Sequence, residues 1–484
     1  MKKYISLFIL LAFAKMSFAQ AEEGTLLSQW KDTTLGGSIR FDNTYNEVWG
    51  ITSNGHEYAV IGSTFGTHFI DVTDPTNIFE RFRFPGKDAS RGIIHRDYHD
   101  YSGYLYAVAD EGTSSLQILK IDELPDTAYI VYDTDEVLFQ AHNIFIDTAH
   151  ARLYTFAGAL TGVNPSSGVG VIDISDPVDP KFVKHFEDFG SIRPWHVHDG
   201  YVRDNIAFLN CEREGFAMMD YTDLDNPIAM AALSTNAYLQ SGYNHSGWAN
   251  DDCSHYYFAD ETWGTDLKTL PLTDLEDLNV ISYFDAGNDN PFSIPHNVIV
   301  GCDYLYASYY YDGLQVYDIS DPDNPERVMY YNTSSRDIQE NYEGAWGVFP
   351  HLPSGNILVS DMQEGLFVIK GLTSNCVAGQ NLKSCKQTSS TKNSFLGKSK
   401  IEVFPNPVSG SNLNIKITGA QYSEEALFVL TDINGSVLKT KKTRISEGEQ
   451  IIDFQLSNSI KSGFYFIKIE SEGAVFTQKV VVVN

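Results

Sequence analysis

Basic side chains are scarce in this chain of 484 residues: 34 Lys and Arg stand against 63 Asp and Glu, for a formal net charge of −29 at pH 7. Nucleic acids and anionic lipids are bound through basic faces that displace counterions. The charge therefore excludes nucleic acid as a partner. It favours an exported, colloidally stable protein, or one that meets cations.

Long apolar runs are missing as well, except at the N terminus. There, Lys2 and Lys3 precede the apolar stretch 5–14, and Ser17 and Ala19 supply the small residues of a cleavage site. This is the pattern of a signal peptide, which we place at 1–19. The stretch is shorter than the roughly 20 residues that span a bilayer. We therefore predict an exported protein with no transmembrane segment in the mature chain.

The sequence also lacks long amphipathic helical patterns and the common catalytic signatures. It contains no Gly-rich phosphate loop, no nucleophile elbow and no Ser-His-Asp order, so a hydrolase with a covalent intermediate has little support. In their place the chain has 37 Gly, 28 Tyr and 29 Phe. This composition is typical of a β protein with many turns.

What the chain does contain is a repeated unit of about 50 residues. Each copy starts with His or Trp, continues with two short strands of which the second ends in acids, and closes on an Asp-Pro turn such as the one from Asp318 to Pro325. Repeats of this kind are typical of β-propellers. We predict an all-β fold with a seven-bladed β-propeller over 25–371, in which Leu26 to Trp30 completes the last blade. The aligned first positions are Trp49, His95, His142, His196, His245, His296 and Trp346.

The Asp-rich phrases that close the repeats have two interpretations. They look like calcium loops, but they lack the Gly and the final Glu of the EF-hand pattern. An Asp before Pro instead forms a turn that its own side chain caps. We predict structural turns at the four stretches beginning at Asp71, Asp173, Asp220 and Asp318.

Two resemblances can be named from these motifs. The ending "DISDPxxP" and the His-Asn start of the strands resemble the LVIVD-repeat propellers, also called choice-of-anchor B proteins, over about 25–372. A fainter resemblance is to the selenium-binding-protein or methanethiol-oxidase propellers, whose repeats also close on "YDISDP" and whose channel histidines are implicated in copper binding. The first implies the fold and the second implies a copper-dependent oxidoreductase.

The C-terminal part has a different character. Residues 372–398 are polar and predict a linker. The motifs "FPNP", "DINGSVL" and "SGFYFIKI" follow in order, and over 399–484 they resemble the type A C-terminal sorting domain of the type IX secretion system, a small immunoglobulin-like β-sandwich. This resemblance implies recognition by the type IX secretion machinery, followed by secretion or attachment to surface lipopolysaccharide.

The repeat also predicts a site. The start of the first strand and the end of the second strand of a blade lie on the same face, so the histidines of the column should surround one mouth of the channel. His198 shares a face with His196 and joins them. Imidazoles and carboxylates are ligands of divalent or copper ions. The acids expected at the same mouth are Asp110, Glu111, Glu212, Asp260, Glu261 and Asp361.

Several alternatives stay open at this point. The histidines can be metal ligands, or they can hydrogen-bond between blades. Trp49 and Trp346 can form an apolar wall for a ligand, or plug the channel. The protein is then a metal-binding propeller, a metal-dependent oxidoreductase, or an adhesive module for a glycan, protein or small ligand, and the fold cannot choose among them.

Disulfides are expected because export permits them. Five cysteines are present. Cys253 and Cys302 occupy equivalent turns of neighbouring repeats, and Cys376 and Cys385 can close a short loop, which leaves Cys211 unpaired. Spacing alone does not establish connectivity, so the pairs Cys253–Cys302 and Cys376–Cys385 are hypotheses.

Overall fold

The computed structural model describes residues 21–163, 168–372, 382–386, 400–420, 424–432, 436–446, 448–457, 460–471 and 474–483. The predicted signal peptide and Cys376 lie outside these residues. The chain divides into two compact units, one ending at Cys385 and the other beginning at Lys386. In the described part of the chain, no helix is long and apolar enough to cross a membrane.

The first unit consists of antiparallel sheets, here called blades, that follow one another along the chain. Two short strands come first, β1 (Glu22–Glu23) and β2 (Leu26–Trp30). Blade one contains β3 (Tyr45–Ser53), β4 (His56–Ser63), β5 (Gly66–Asp71) and β6 (Phe79–Pro85). Blade two contains β7 (Arg96–Tyr101), β8 (Tyr104–Ala109), β9 (Leu116–Lys120) and β10 (Tyr129–Thr134).

Blade three has an additional two-stranded sheet beside it. Its own strands are β12 (Asn143–Asp147), β13 (Arg152–Phe156), β15 (Val169–Asp173) and β16 (Lys181–Phe186), and the additional pair is β11 (Leu138–Gln140) with β14 (Ala159–Leu160). Blade four contains β17 (Asp199–Arg203), β18 (Ile206–Asn210), β19 (Gly215–Asp220) and β20 (Ile228–Ser234), and a single 3-10 turn follows it at Thr235–Ala237.

The last three blades complete the ring. Blade five contains β21 (Asn244–Ala249), β22 (His255–Asp260), β23 (Leu267–Pro271) and β24 (Ser282–Phe284). Blade six contains β25 (Val298–Gly301), β26 (Tyr304–Ser308), β27 (Leu314–Asp318) and β28 (Glu326–Tyr331), with β1 parallel to its edge. Blade seven contains β29 (Ala345–Phe349), β30 (Ile357–Asp361) and β31 (Gly365–Ile369).

The N-terminal strand β2 completes blade seven. It pairs antiparallel with β31, so Leu26 to Trp30 provides the missing fourth strand, as predicted. The innermost strands β3, β7, β12, β17, β21, β25 and β29 contact one another in this order, and β29 returns to contact β3. Closure in this way removes the unpaired edges of the ring. The predicted all-β class is confirmed.

The sequence pattern of each strand follows its position in the blade. Middle strands lie between neighbouring blades, so β5 and β18 are buried along their whole length. The outermost strand of blade one, β6, alternates between exposed and half-buried residues. Apolar clusters lie between adjacent blades, for example Val60 of blade one against Leu105 of blade two. Burial between blades therefore stabilises the ring.

The Asp-Pro phrases are turns, as predicted. The carboxylate of Asp71 accepts a hydrogen bond from the backbone N–H of Thr73 at 3.0 Å, and Asp318 does the same with Ser320 at 2.9 Å. Asp173 and Asp220 repeat the pattern with the residue two positions later. These side chains cap turns of their own chain.

The predicted disulfide pairs are wrong. Cys253 is bonded to Cys385, and Cys302 is disulfide-bonded elsewhere. Cys253 and Cys302 occupy equivalent turns on neighbouring blades, but Cys253 is bonded to a cysteine of the segment 382–386. In the same segment the backbone N–H of Lys383 donates to the Asp251 carbonyl. Part of the predicted linker is thus attached to the propeller. Cys211 is free, as predicted, and it is buried.

The second unit is a sandwich of two antiparallel sheets. One sheet contains β32 (Lys400–Phe404), β33 (Asn412–Ala420) and β36 (Gly448–Gln455). The other contains β34 (Glu424–Thr431), β35 (Val437–Ile445), β37 (Gly463–Ser471) and β38 (Ala474–Val482). A single apolar cluster, with Leu413 from the first sheet and Phe428 from the second, fills the space between them.

Candidate metal centre

Six aromatic side chains form a closed ring across the propeller channel, and five of them are imidazoles. Successive ring centroids are 4.2 to 4.6 Å apart from His95 through to His296. Trp346 closes the circle, 4.8 Å from His296 and 5.2 Å from His95. We call this set the imidazole ring; its members are His95, His142, His198, His245, His296 and Trp346.

In blade four the ring position belongs to His198 and not to His196. The first strand of blade four begins with the pair Asp199–Asn210, and the first strand of blade three begins with the pair Asn143–Phe156. The residues that precede these strands, His198 and His142, are therefore equivalent. His196 lies two residues earlier, where its side chain is 36% exposed and its Nδ1 is 3.3 Å from Glu212. His196 therefore stands at the rim of the mouth, outside the ring.

Trp49 does not lie at the mouth. The prediction that Trp49 and Trp346 together form a ligand wall is therefore wrong. In blade one Val48 pairs with Ile61, and in blade seven Val348 pairs with Val359, so Trp49 is equivalent to Phe349. Three residues of strand place it roughly 10 Å further along the channel. There its ring contacts His99 at 4.2 Å and Phe349 at 4.8 Å.

Two of the acids expected at the mouth have structural roles instead. Asp260 is fully buried and forms an ion pair with Lys268 at 3.0 Å. Asp361 is also fully buried and accepts hydrogen bonds from Thr333 and from two backbone N–H groups of its own turn. The acids that do reach the histidines are Asp110, Glu111, Glu212 and Glu261.

The first group of ligand atoms contains His95, Asp110 and His142. Asp110 Oδ2 lies 2.9 Å from Nδ1 of His142 and 4.0 Å from Nδ1 of His95. Glu111 bonds His95 from the other side, through the ring and through the backbone N–H. Burial opposes the charge of His142, but the hydrogen bond and charge of Asp110 outweigh it, so the pKa of His142 is raised. The pKa of Asp110 is lowered by the same contact, against its burial.

The second group contains His245, Glu261 and His296. The two carboxylate oxygens of Glu261 lie 3.8 Å from Nε2 of His245 and 4.0 Å from Nε2 of His296. Tyr310 donates a hydrogen bond to Glu261 at 2.6 Å. Burial lowers the pKa of His296 to about 3 and that of His245 well below its ordinary value. Burial also raises the pKa of Glu261 to about 7. This group therefore has neutral imidazoles at neutral pH, the form that binds metal.

The orientation of two of the buried imidazoles is set by the next blade. His296 Nδ1 donates to the carbonyl of Trp346 at 2.5 Å, and His198 Nδ1 donates to the carbonyl of His245 at 3.2 Å. The Nδ1 atoms thus occupy the seams between blades. Nε2 is then the unprotonated nitrogen, as in metal-binding histidines whose other nitrogen is held by a carbonyl.

These two groups are the candidate metal ligands. In the part of the chain that the structure describes, they are the groups whose His and carboxylate atoms all lie within 4.8 Å of one another. A single ion about 2.0 to 2.2 Å from each ligand atom satisfies this condition. Two imidazoles and one carboxylate form a ligand set used by zinc and other transition metals.

A cavity of about 450 Å³ opens above the imidazole ring. Several residues that line this cavity were not predicted from the sequence. Tyr243 donates to Glu212 at 3.0 Å, and Tyr310 to Glu261, so tyrosine hydroxyls fix both acids. Tyr310 follows the second strand of blade six, the position that carries Asp110 in blade two, and this alignment was the available signal. The other missed lining residues are Arg40, Phe41, Gln140, Ala157, Ala159, Tyr342 and Met362.

A second, smaller cavity lies deeper in the channel, and we call it the channel cavity. Its volume is about 60 Å³, and its lining includes Glu47, Asp97 and Asp199. These acids lie on the innermost strands or at their ends. The repeat pattern predicted the histidines near these positions but not the acids. Aromatic residues, among them Trp49 and Trp248, line the same cavity.

Comparison with known proteins identifies the C-terminal part. Residues 402–483 match the family described as "Secretion system C-terminal sorting domain". The second unit is a sorting domain. A sorting domain of the type IX system implies export, either to the cell surface or into the medium. No curated protein matches the chain.

Several solved structures are similar to the chain in fold. PorZ, described as an essential bacterial surface component of the type-IX secretion system of Porphyromonas gingivalis, is 11% identical over 94% of this chain, which spans 61% of the length of PorZ, with a TM-score of 0.41. The periplasmic gluconolactonase PpgL of Pseudomonas aeruginosa is 12% identical, with 84% of this chain and 98% of that chain covered and a TM-score of 0.46. At these scores the similarities carry no argument about activity.

Proposed function

We propose that this exported propeller binds transition-metal ions at the mouth of its channel. The observation that carries the proposal is the presence of two groups, each with two imidazoles and one carboxylate, whose ligand atoms lie within 4.8 Å of one another. The first group contains His95, Asp110 and His142, and the second contains His245, Glu261 and His296. The propeller with the LVIVD-type repeats is then a metal-binding module that the sorting domain delivers through the type IX machinery. Attachment to surface lipopolysaccharide is part of this proposal.

The two groups should differ in their behaviour. The first lies on the more open side of the mouth, where the side chains of His95 and Asp110 are 22% and 33% exposed. The second is enclosed, since His245 and His296 are each 3% exposed. A metal ion in the first group keeps open coordination positions for water or a ligand from the cavity, whereas an ion in the second group is held more deeply.

The test is metal analysis of the full chain, purified without a polyhistidine tag. The protein is stripped with EDTA, reloaded separately with Zn²⁺, Co²⁺ and Cu²⁺, and analysed for bound metal. We expect up to two ions in the wild type, one in His142→Ala, one in His296→Ala and none in the double variant. His56→Ala is the matched control, because His56 begins β4 at the end of the blade opposite the mouth, where its side chain is partly exposed and its Nδ1 is 3.5 Å from Asp71. A wild type that binds no metal, or a double variant that binds as much as the wild type, refutes the proposal.

A second candidate function is a metal-dependent oxidoreductase. The cavity of about 450 Å³ above the ring favours it, because this volume exceeds what a hydrated ion needs and leaves room for a small substrate. Tyr243 and Tyr310, bonded to Glu212 and Glu261, are then placed to move protons between substrate and acid. The test is oxygen consumption by the copper-loaded protein with small thiols as substrates. Turnover that disappears in His142→Ala but persists in His56→Ala supports this candidate.

A further inference from the structure

The channel cavity has an excess of hydrogen-bond acceptors. Glu47, Asp97 and Asp199 converge on it from three different blades, and no Lys or Arg is among the described residues that line it. The polar side chains beside them are Asn143, Ser246 and Asn297, from three further blades. Six of the blades therefore contribute an oxygen-bearing side chain to one cavity.

The bonds that the carboxylates make inside the protein use only part of their capacity. Asp97 accepts from the backbone N–H of Ile144 at 2.7 Å, and Asp199 accepts from that of Gly200 at 2.7 Å. Glu47 accepts from the N–H of Val48 at 3.0 Å. Burial raises the pKa of all three carboxyls, so a bound cation is needed to favour their ionised form, in which each offers about four lone-pair positions. Each of these groups can thus accept from a further partner inside the cavity.

Two neighbouring side chains lack the partners that buried polar groups normally have. Asn297 donates its amide Nδ2 to Glu47 at 2.7 Å, which fixes the orientation of the amide, and its Oδ1 is buried with no hydrogen-bond partner. His99 is 8% exposed, and neither of its ring nitrogens has a partner. His99 lies two residues after Asp97 on β7, so both side chains face the channel. Orphaned buried groups of this kind indicate a bound water or ion.

We propose that a hydrated hard divalent cation, of the Ca²⁺ type, binds in the channel cavity. Carboxylate, amide and hydroxyl oxygens are the ligands that Ca²⁺ takes, and it completes six to eight positions with water. The oxygens of Glu47, Asp97 and Asp199 are less closely grouped than the ligand atoms of the two groups at the mouth. Some of them therefore reach the ion through water. A cavity of about 60 Å³ holds an ion with a few such waters.

The cation also accounts for the orphaned groups. In this proposal Asn297 supplies its Oδ1 as a neutral oxygen ligand, and a nitrogen of His99 hydrogen-bonds a water of the ion. Gly347 belongs to the same arrangement, because a Cβ atom at this position would collide with the carboxylate of Glu47. The ion joins side chains of separate blades at the axis of the ring. Its role is to stabilise the closed ring, independently of any metal at the mouth.

The experiment uses the full chain without a polyhistidine tag, stripped with EDTA and titrated with TbCl₃ and then CaCl₂. Trp49 and Trp248 line the channel cavity, so bound Tb³⁺ should luminesce on excitation of the indoles. We expect saturable Tb³⁺ emission that Ca²⁺ displaces. Ca²⁺ at about 100 times its Kd should raise the Tm by about 5 °C.

The variants locate the site. Asp97→Asn with Asp199→Asn keeps the shapes of both side chains and should abolish the emission and the Tm shift. Asp110→Asn is the matched control, because Asp110 belongs to the first ligand group at the mouth and does not line the channel cavity, and it should retain both responses. Binding of Zn²⁺ or Co²⁺ at the mouth should survive the channel variant, so failure of this site and failure of the mouth sites are distinguishable.

Three results overturn the proposal. The first is a wild type without Tb³⁺ emission or Ca²⁺-dependent Tm shift, a measurement that does not depend on the folding of any variant. The second is full retention of both responses in the Asp97→Asn, Asp199→Asn variant. The third is loss of both in Asp110→Asn with retention in the channel variant, which assigns the ion to the mouth.

Discussion

Replacement of Glu261 by Gln should stabilise the metal-free protein at alkaline pH. Glu261 is enclosed between His245 and His296, and burial raises its pKa from its ordinary value of 4.5 to about 7. At 1.36 kcal/mol for each pKa unit, ionisation of this carboxyl in the folded protein costs about 3 kcal/mol. Glutamine has nearly the same shape, carries no charge, and keeps an oxygen that can accept from Tyr310.

The sign of the effect follows from proton binding. Between pH 4.5 and pH 7 the folded state holds the Glu261 proton more tightly than the unfolded state, so this group makes stability fall as pH rises through that interval. Below pH 4.5 the carboxyl is protonated in both states and contributes no penalty. The Glu261→Gln variant should therefore match the wild type at pH 4 and exceed it by about 3 kcal/mol at pH 8 in EDTA.

The assay is urea unfolding followed by tryptophan fluorescence, at pH 4, 6 and 8, with EDTA and with Zn²⁺. Comparison of wild type and variant at each pH cancels the titration of all other groups. With Zn²⁺ the order should reverse, because the metal neutralises Glu261 in the wild type and loses a ligand in the variant. A variant that is less stable than the wild type at pH 8 in EDTA, or a difference that does not change with pH, refutes the reasoning.

Three further predictions concern other parts of the chain. Asp260→Ala, next to Glu261, should cost about 3 to 5 kcal/mol because it leaves the buried Lys268 charge unpaired, yet mouth metal stoichiometry should not change. Cys385→Ser should lower the free energy of unfolding of the propeller by up to about 5 kcal/mol, because Cys253 and Cys385 close a loop of 132 residues. The urea midpoint should fall accordingly, and an unchanged midpoint contradicts this. A chain that ends at residue 386 should accumulate in the periplasm of a type IX-competent host, and surface or medium fractions that still contain it contradict the assigned role of the sorting domain.

The fold was largely predictable because its signals are local and repeated. Apolar second and third strands, Asp-capped turns and the fourth strand of blade seven all followed from the sequence. The strands recur in every blade and the Asp-capped turns in four of them, so each copy supports the alignment of the others. The disulfides were not predictable in the same way. Cys385 reaches Cys253 because a polar segment folds back onto the propeller, and no repeat records that contact.

The site was predictable in composition but not in register. His196 and Trp49 were assigned to the ring because they match the spacing of the repeat, whereas the structure has His198 and Asn46 at those positions. Strand pairing makes Trp49 equivalent to Phe349 and not to Trp346, and an unaligned sequence does not reveal this offset of three residues. The channel acids were missed for another reason. Glu47, Asp97 and Asp199 differ in type and in offset from the strand start, so they form no visible column.

The buried histidines are arranged so that one imidazole can serve both a structural role and a ligand role. An imidazole has two nitrogens, and in this ring they face different surroundings. Nδ1 of His198 and of His296 donates to a carbonyl of the next blade, which is what a structural histidine does. The same bond fixes the tautomer and leaves Nε2 as a lone pair toward the channel, which a metal ligand needs. Substitution of His296 by Gln should therefore separate the two roles, since its amide can still donate into the seam but offers a poor ligand atom to a transition metal. A His296→Gln protein that is as stable as the wild type in EDTA but binds one ion fewer is the expected result, and one that loses stability while it retains both ions shows that the imidazole serves the seam alone.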